Sequence, residues 1–187
     1  MRQVKGFTII EMMLVVAIIS IFAGMAIPSI SNFRDKQRAI SPAEAIYSLV
    51  AYARSEAIAR SAMVYVDVKV TALDTPTTTW AIGVSTNSGG CDPDVTDLSL
   101  ANACALDVGG QKVLKRITSS DYPGVSLETN EDQIDFDPVR GTVGNAGTIT
   151  LSFKNRDLFV KVSPIGRVKV CTDPANNTVG GYSSCTG

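Results

Sequence analysis

The sequence predicts an α+β fold, one long N-terminal helix packed on a C-terminal antiparallel β-sheet. Three observations carry this reading. Met12 to Phe33 contain no charged residue, the segment from Ser41 to Ser61 repeats apolar side chains at helical spacing, and several short segments after it alternate apolar with polar residues.

The first element is the uncharged run. Spanning a bilayer core takes roughly 20 apolar residues as a helix, so the run is long enough to span. Pro28 lacks a backbone donor and predicts a kink. Further on, SPAEAIYSLVAYARSEAIARS offers Ser41 as a cap, Pro42 at the first position and Glu44 at the third, which predicts a helix restarting after a bend and continuing to about Ser61. Ile46, Leu49, Val50, Ala53 and Ala57 form one apolar stripe for a packed sheet, with Glu56 and Arg60 as an outward i,i+4 pair.

The strands follow. In MVYVDVKV, Val64, Val66, Val68 and Val70 alternate with Tyr65, Asp67 and Lys69, as in a strand with one buried face. TWAIGV (Thr79 to Val84) is a second candidate, and VSLE, QIDF, TITLSF, DLFVKV and GRVKVC are later ones. Ser85 to Gly110 is rich in Gly, Asn, Asp and Ser and reads as an insertion loop held by Cys91 and Cys104.

Cys91, Cys104, Cys171 and Cys185 all follow the apolar run and read as disulfides of an exported domain. Sequential pairing, Cys91 with Cys104 and Cys171 with Cys185, would close two short loops and is preferred, although four cysteines permit three connectivities.

Composition narrows the function classes. The 187 residues suit one anchored domain, and the net charge of −1 provides no global attraction to nucleic acid. There is no histidine, hence neither the commonest general base nor the commonest neutral metal ligand. No phosphate-cradling glycine loop and no Cys-x-x-Cys pair is present. Neither an enzyme nor a cofactor is expected. The acidic series Glu128, Glu131, Asp132, Asp135 and Asp137 lacks the compact loop spacing of a calcium-binding EF-hand and reads as a solvated face, so no metal is expected.

The stretch KGFTIIEMMLVV brings one carboxylate, Glu11, to the start of the apolar run. An ionisable residue there is costly in hydrocarbon and calls for a functional partner. A secretory signal peptide would use Arg2 and Lys5 as its charged region and FAGMA (Phe22 to Ala26) for cleavage. Against it, Glu11 interrupts the apolar approach and helix-favouring sequence continues far beyond that site. A simple anchor leaves Gly6-Phe7-Thr8 followed by Glu11 without a reason.

KGFTIIEMMLV closely resembles the type IV prepilin motif shared by type IV pilins and type II secretion pseudopilins. The resemblance implies a leader peptide (1–6), cleavage by a prepilin peptidase between Gly6 and Phe7, N-methylation of Phe7, and Glu11 as the glutamate at the fifth mature position. Cleavage would create an ammonium group at Phe7, four residues before Glu11 and on the same helical face. By the resemblance, Glu11 pairs with the Phe7 amine of a neighbouring subunit, offsetting the burial of both charges only when subunits stack in register. Residues 7–33 would then be the transmembrane and assembly half of the helix, and 34–187 a periplasmic globular domain. A proline at the position of Pro28 is typical of the family, whose helix can loosen there in the assembled filament.

The body extends the resemblance. LVAYARSEAIARSAMVYV, IDFDPVRGTVGNAGTITLSF and VKVSPIGRVKVC resemble the GspH/FimT group of minor pilins and pseudopilins, with no correspondence over Thr71 to Asp121. The fold implied is the type IV pilin fold. Three roles are implied by the group: a FimU-type minor pilin that primes pilus assembly near the tip, a minor pseudopilin of a type II secretion pseudopilus, and a FimT-type pilin that binds incoming DNA. The first is preferred. Its partners would be other minor pilins, the major pilin, the prepilin peptidase, the inner-membrane assembly machinery and the inner membrane. Arg2 and Lys5 would be cytoplasmic before assembly, with the domain periplasmic and later in the pilus. For the DNA role, Gly166, Arg167, Val168 and Lys169 resemble a GRxR-like segment with lysine as the second cation, and Lys154, Arg156 and Lys161 would join it if the strands align. DNA is not favoured as a partner, because Asp157 and Asp173 lie close in sequence and the whole chain is acidic.

Overall fold

The computed structural model describes residues 6–173 and 179–185, without the side chains of residues 23–29. Arg2 and Lys5, and the side chain of Pro28, lie outside the described residues. The chain divides into two compact units, Met1–Gln37 and Arg38–Gly187.

In the first unit the helix α1 (Ile9–Arg60) begins. Thr8 starts it: the Glu11 amide donates to Thr8 Oγ1 at 3.3 Å and the Met12 amide to the Thr8 carbonyl at 3.2 Å. A Thr three residues before a Glu is half of a capping box, so Glu11 also sits where an acid favours the positive end of the helix. Ile9, Ile10, Met12, Met13, Leu14, Ile19 and Phe22 are all exposed. Among the described residues no helix is long and apolar enough to cross a membrane, and residues 23–29 of the expected span have no described side chains.

The second unit contains the rest of α1. The helix does not restart at Ser41; it runs without interruption through Pro42. Proline removes one i→i−4 bond, and here the tertiary packing of the flanking turns outweighs that loss. Ala39, Ala43, Ile46, Val50, Ala53 and Ala57 form the buried stripe, and Leu49 packs at its margin. Glu56 and Arg60 pair at 2.6 Å, and Arg60 also donates to the Asp107 carbonyl.

Two four-stranded sheets share this stripe. The first is ordered β5-β2-β1-β7, from β1 (Val64–Lys69), β2 (Ala81–Ser85), β5 (Arg116–Thr118) and β7 (Gln133–Phe136). The second is ordered β10-β9-β8-β6, from β6 (Ser126–Thr129), β8 (Thr148–Phe153), β9 (Arg156–Val162) and β10 (Val168–Cys171). All their pairings are antiparallel. Val64, Val66, Ile82, Ile134, Phe136, Ile149, Leu151, Leu158 and Val160 are fully buried against the helix stripe in one core.

Two departures from the sequence reading concern the insertion. Ser85 to Gly110 is not wholly loop, because β3 (Ala105–Val108) lies in it and pairs with β4 (Gln111–Leu114). Neither β3, β4 nor β5 stands out in the sequence. Cys91 is bonded to Cys104, and Cys104 packs so closely on β2 that a Cβ at Gly83 would lie 2.2 Å from its sulfur. The second correction is Asp67, which alternation places on the solvated face but which is 7% exposed. Its carboxylate accepts from Gln133 Nε2 at 2.6 Å and from the Cys91 amide at 2.9 Å. Burial pushes the Asp67 carboxyl up, against the lowering effect of those two donors.

The C-terminus is fastened separately. Cys171 is bonded to Cys185, the Thr172 amide donates to the Ser183 carbonyl, and the Cys185 amide to that of Thr172. Tyr182 Oη then donates to Glu44 Oε1 at 2.5 Å. Burial and this bond push the Tyr182 hydroxyl up to about 12.

Two pH dependences follow. Tyr182 holds its proton more tightly folded than unfolded, so its contribution is complete below the ordinary value of 10.0 and lost as pH rises towards about 12. Tyr182→Phe should flatten that alkaline limb in urea-midpoint measurements and cost about 1 kcal/mol at neutral pH. Asp67 has the same sign: stability should fall as pH climbs above its ordinary 3.8. Asp67→Asn should remove that component of the acid-side slope, since the Gln133 amide can turn to pair with asparagine.

Candidate functional site

The residues at the N-terminus occupy consecutive positions on α1 and the turn before it. Gly6 is exposed and an added Cβ there would touch nothing, so the backbone on either side of the Gly6–Phe7 bond is open to an enzyme. Phe7 is 78% exposed. Glu11 is exposed, within the first turn of α1. Among the described residues of the first unit, the apolar side chains around it form a continuous exposed run, of the kind that marks an interaction surface.

The basic residues of the second unit are only partly brought together. Lys161 of β9 and Lys169 of β10 are direct register partners, so both project on the outer face of the second sheet. Arg167 stands in the turn before β10 and is exposed. Lys154 and Arg156 lie at the other end of β9, ~20 Å away at strand rise. Lys154 sits over the Phe153 ring at 5.6 Å, and Lys169 Nζ donates to the Ser184 carbonyl at 3.4 Å. Among the sequence-nominated cations, Arg167, Lys161 and Lys169 thus share one end of the sheet and the others do not.

Two members of the acidic series, Asp135 and Asp137, accept from backbone amides. Asp137 accepts from the Val139 and Arg140 amides, which hold its carboxyl below the usual range, and Asp135 accepts from the Asn145 amide.

Sequence reasoning missed Arg54, which ties this end together. Its Nε donates to the Gly141 carbonyl at 3.1 Å and its Nη2 to the Ile165 carbonyl at 3.4 Å. The turn carrying Arg167 is thereby pinned to α1 and to the loop before β8. Gly166 adopts φ +73°, and a Cβ there would lie 1.8 Å from the Gly141 oxygen, so both backbone conformation and close approach require glycine. The signal available in the sequence was the pair of glycines in VRGTV and PIGRV, each beside an arginine. Gly166→Ala should destabilise the domain by about 3 kcal/mol, read as a lowered urea midpoint with unchanged slope.

Known proteins place these features. The crystal structure of the type IV minor pilin FimU of Pseudomonas aeruginosa strain PAO1 aligns with a TM-score of 0.51 at 13% identity, covering 78% of this chain and 97% of that one. A second crystal form of FimU aligns with a TM-score of 0.45, also at 13% identity, over 74% of this chain and 96% of that one. The first likeness establishes the type IV pilin fold. No curated protein matches the chain in sequence. The prokaryotic N-terminal methylation motif matches residues 1–27, the segment containing Gly6, Phe7 and Glu11. The sequence model of the type II transport protein GspH family matches residues 43–173, from the buried helix stripe past the end of β10 and well over half of the chain, and to that family the chain belongs.

Proposed function

We propose that this chain is a minor pilin, a structural subunit that helps prime type IV pilus assembly in a tip-associated complex with other minor pilins and the major pilin. The observation that carries the reading is the methylation motif leading directly into a helix whose apolar side chains are exposed. In the proposed sequence the precursor is anchored in the inner membrane with its domain periplasmic. Prepilin peptidase cuts between Gly6 and Phe7 and the new Phe7 amine is methylated. The amine remains a cation after methylation and pairs with Glu11 of an adjacent subunit, so the pair neutralises two charges that would each be costly alone in an apolar helix bundle. Pro28 is the place where the helix loosens during packing. The disulfide-fastened domain presents its sides to neighbouring subunits.

A second reading is supported by the family description itself: a minor pseudopilin at the tip of a type II secretion pseudopilus. It shares every step up to assembly and differs in the filament joined.

Filaments sheared from native cells and searched by mass spectrometry should contain a peptide starting at N-methylated Phe7. Recovery of that peptide from the membrane fraction alone would move the assignment to the secretion pseudopilus or to an unassembled reserve, and cleavage near Ala26 would overturn both readings. Glu11→Ala should abolish recovery from filaments while leaving the processed protein in the membrane; unchanged incorporation would remove the charge-pair mechanism.

A further inference from the structure

The free edge of β10 lies beside a groove lined on one side by a helix stripe. Tyr47, Ala51, Arg54, Ser55 and Ile58 recur at helical spacing on α1, and with Arg167 and Val168 they line about 450 Å³. The backbone of β10 can be sorted by direction. The Val162 amide donates towards β8, to the Gly147 carbonyl, so the N–H and C=O of Lys161 face β10. Lys169, its register partner, faces back. Val168, Val170 and Thr172 therefore direct their N–H and C=O groups outward. At Thr172 those outward groups are used: they bond the Ser183 carbonyl and the Cys185 amide, and the tail bridges in parallel with Thr172. The tail turns away upstream, with the Tyr182 amide bonded to the Val179 carbonyl, so its pairing does not reach Val170. Among the described residues no backbone partner occupies the outward groups of Val168 and Val170.

The chain's own tail thus already pairs with this edge through one isolated parallel bridge, and does so beside the same helix stripe, through Tyr182 and Glu44. We propose that Val168–Val170 and the adjoining groove bind an extended segment of a neighbouring protein subunit, which adds as a strand to β10. The added backbone would satisfy Val168 and Val170. Every second side chain would enter the groove, against Ala51, Ile58 and Val168. Charge selects the remainder: the Arg167 guanidinium makes no ion pair among the described residues, and Arg54 lies alongside it with no carboxylate partner. The segment therefore carries a carboxylate among alternating apolar residues, held by an arginine fork. This deepens the filament reading by naming the kind of segment a neighbour contributes. It rests on that reading for the neighbour's identity alone.

The test uses the full chain in detergent micelles, with amide exchange read by NMR. The probe is the blocked peptide acetyl-Thr-Val-Glu-Val-Asp-Val-Thr-amide, and a second peptide has lysine in place of both acids. The acidic peptide should saturate and slow exchange of the Val168 and Val170 amides about tenfold or more, with the lysine peptide inactive. Val170→Pro removes an outward donor, which edge strands tolerate, together with a side chain packed at the margin of the core, and Arg167→Glu reverses an exposed charge and leaves the core untouched; each should weaken binding about tenfold or more. Unchanged exchange at millimolar acidic peptide would overturn the proposal, as would binding indifferent to Val170→Pro. A single-stranded oligonucleotide that shifts Arg167 while neither peptide binds would also overturn it and assign this end of the sheet to nucleic acid. None of these failures touches processing at Phe7 or the role of Glu11.

Discussion

Everything in the globular unit depends on one narrow strip of helix being shared by two sheets. Each sheet is four strands wide and needs a cover for its apolar face, and the covering surface is the stripe from Ala39 to Ala57. Four of its six positions are alanine, and the two larger ones, Ile46 and Val50, are fully buried. Full burial of those two branched side chains is worth about 2 kcal/mol each. Because both sheets bury their interiors on the same strip, the domain has one core and its strands cannot be rearranged separately.

That sharing also decides what is left outside. The stripe through Tyr47, Ala51, Arg54 and Ile58 lies next to the buried one on the helix and is only partly covered: Tyr47 packs at the core's margin, while Ile58 is exposed. Arg54 converts part of this margin into structure by holding two turns from distant parts of the chain. The charges at this end are consequently placed by backbone carbonyls and not by opposite charges, which keeps Arg167 exposed.

Much of this was legible in the sequence for a physical reason: the core elements obey one periodicity each. Ile46, Val50, Ala53 and Ala57 repeat with the helical turn, and TITLSF alternates throughout while DLFVKV does so except at Phe159, so burial could be read directly. The unread parts break periodicity. Asp67 interrupts a valine strand because its donors, Gln133 and the Cys91 amide, come from other segments. The hairpin of β3 and β4 is mostly exposed and carries little alternation. The pinning role of Arg54 depends on carbonyls at Gly141 and Ile165, for which no side-chain code exists. At the N-terminus the motif residues were readable, whereas the capping of α1 by Thr8 was hidden by the same Glu that the motif explains.

The excursion between β2 and β5 has a further consequence. Ile82 is already paired with Ile117, so the chain leaves and re-enters the sheet at adjacent strands, and whatever lies between is a loop with closed ends. The entropy of closing such a loop rises only with the logarithm of its length, and the disulfide from Cys91 to Cys104 anchors it internally. Its size and composition can therefore drift between relatives at little cost to folding, provided that Gly83 stays small beneath Cys104. The excursion is thus the part of the domain whose outward face can change on an unchanged frame.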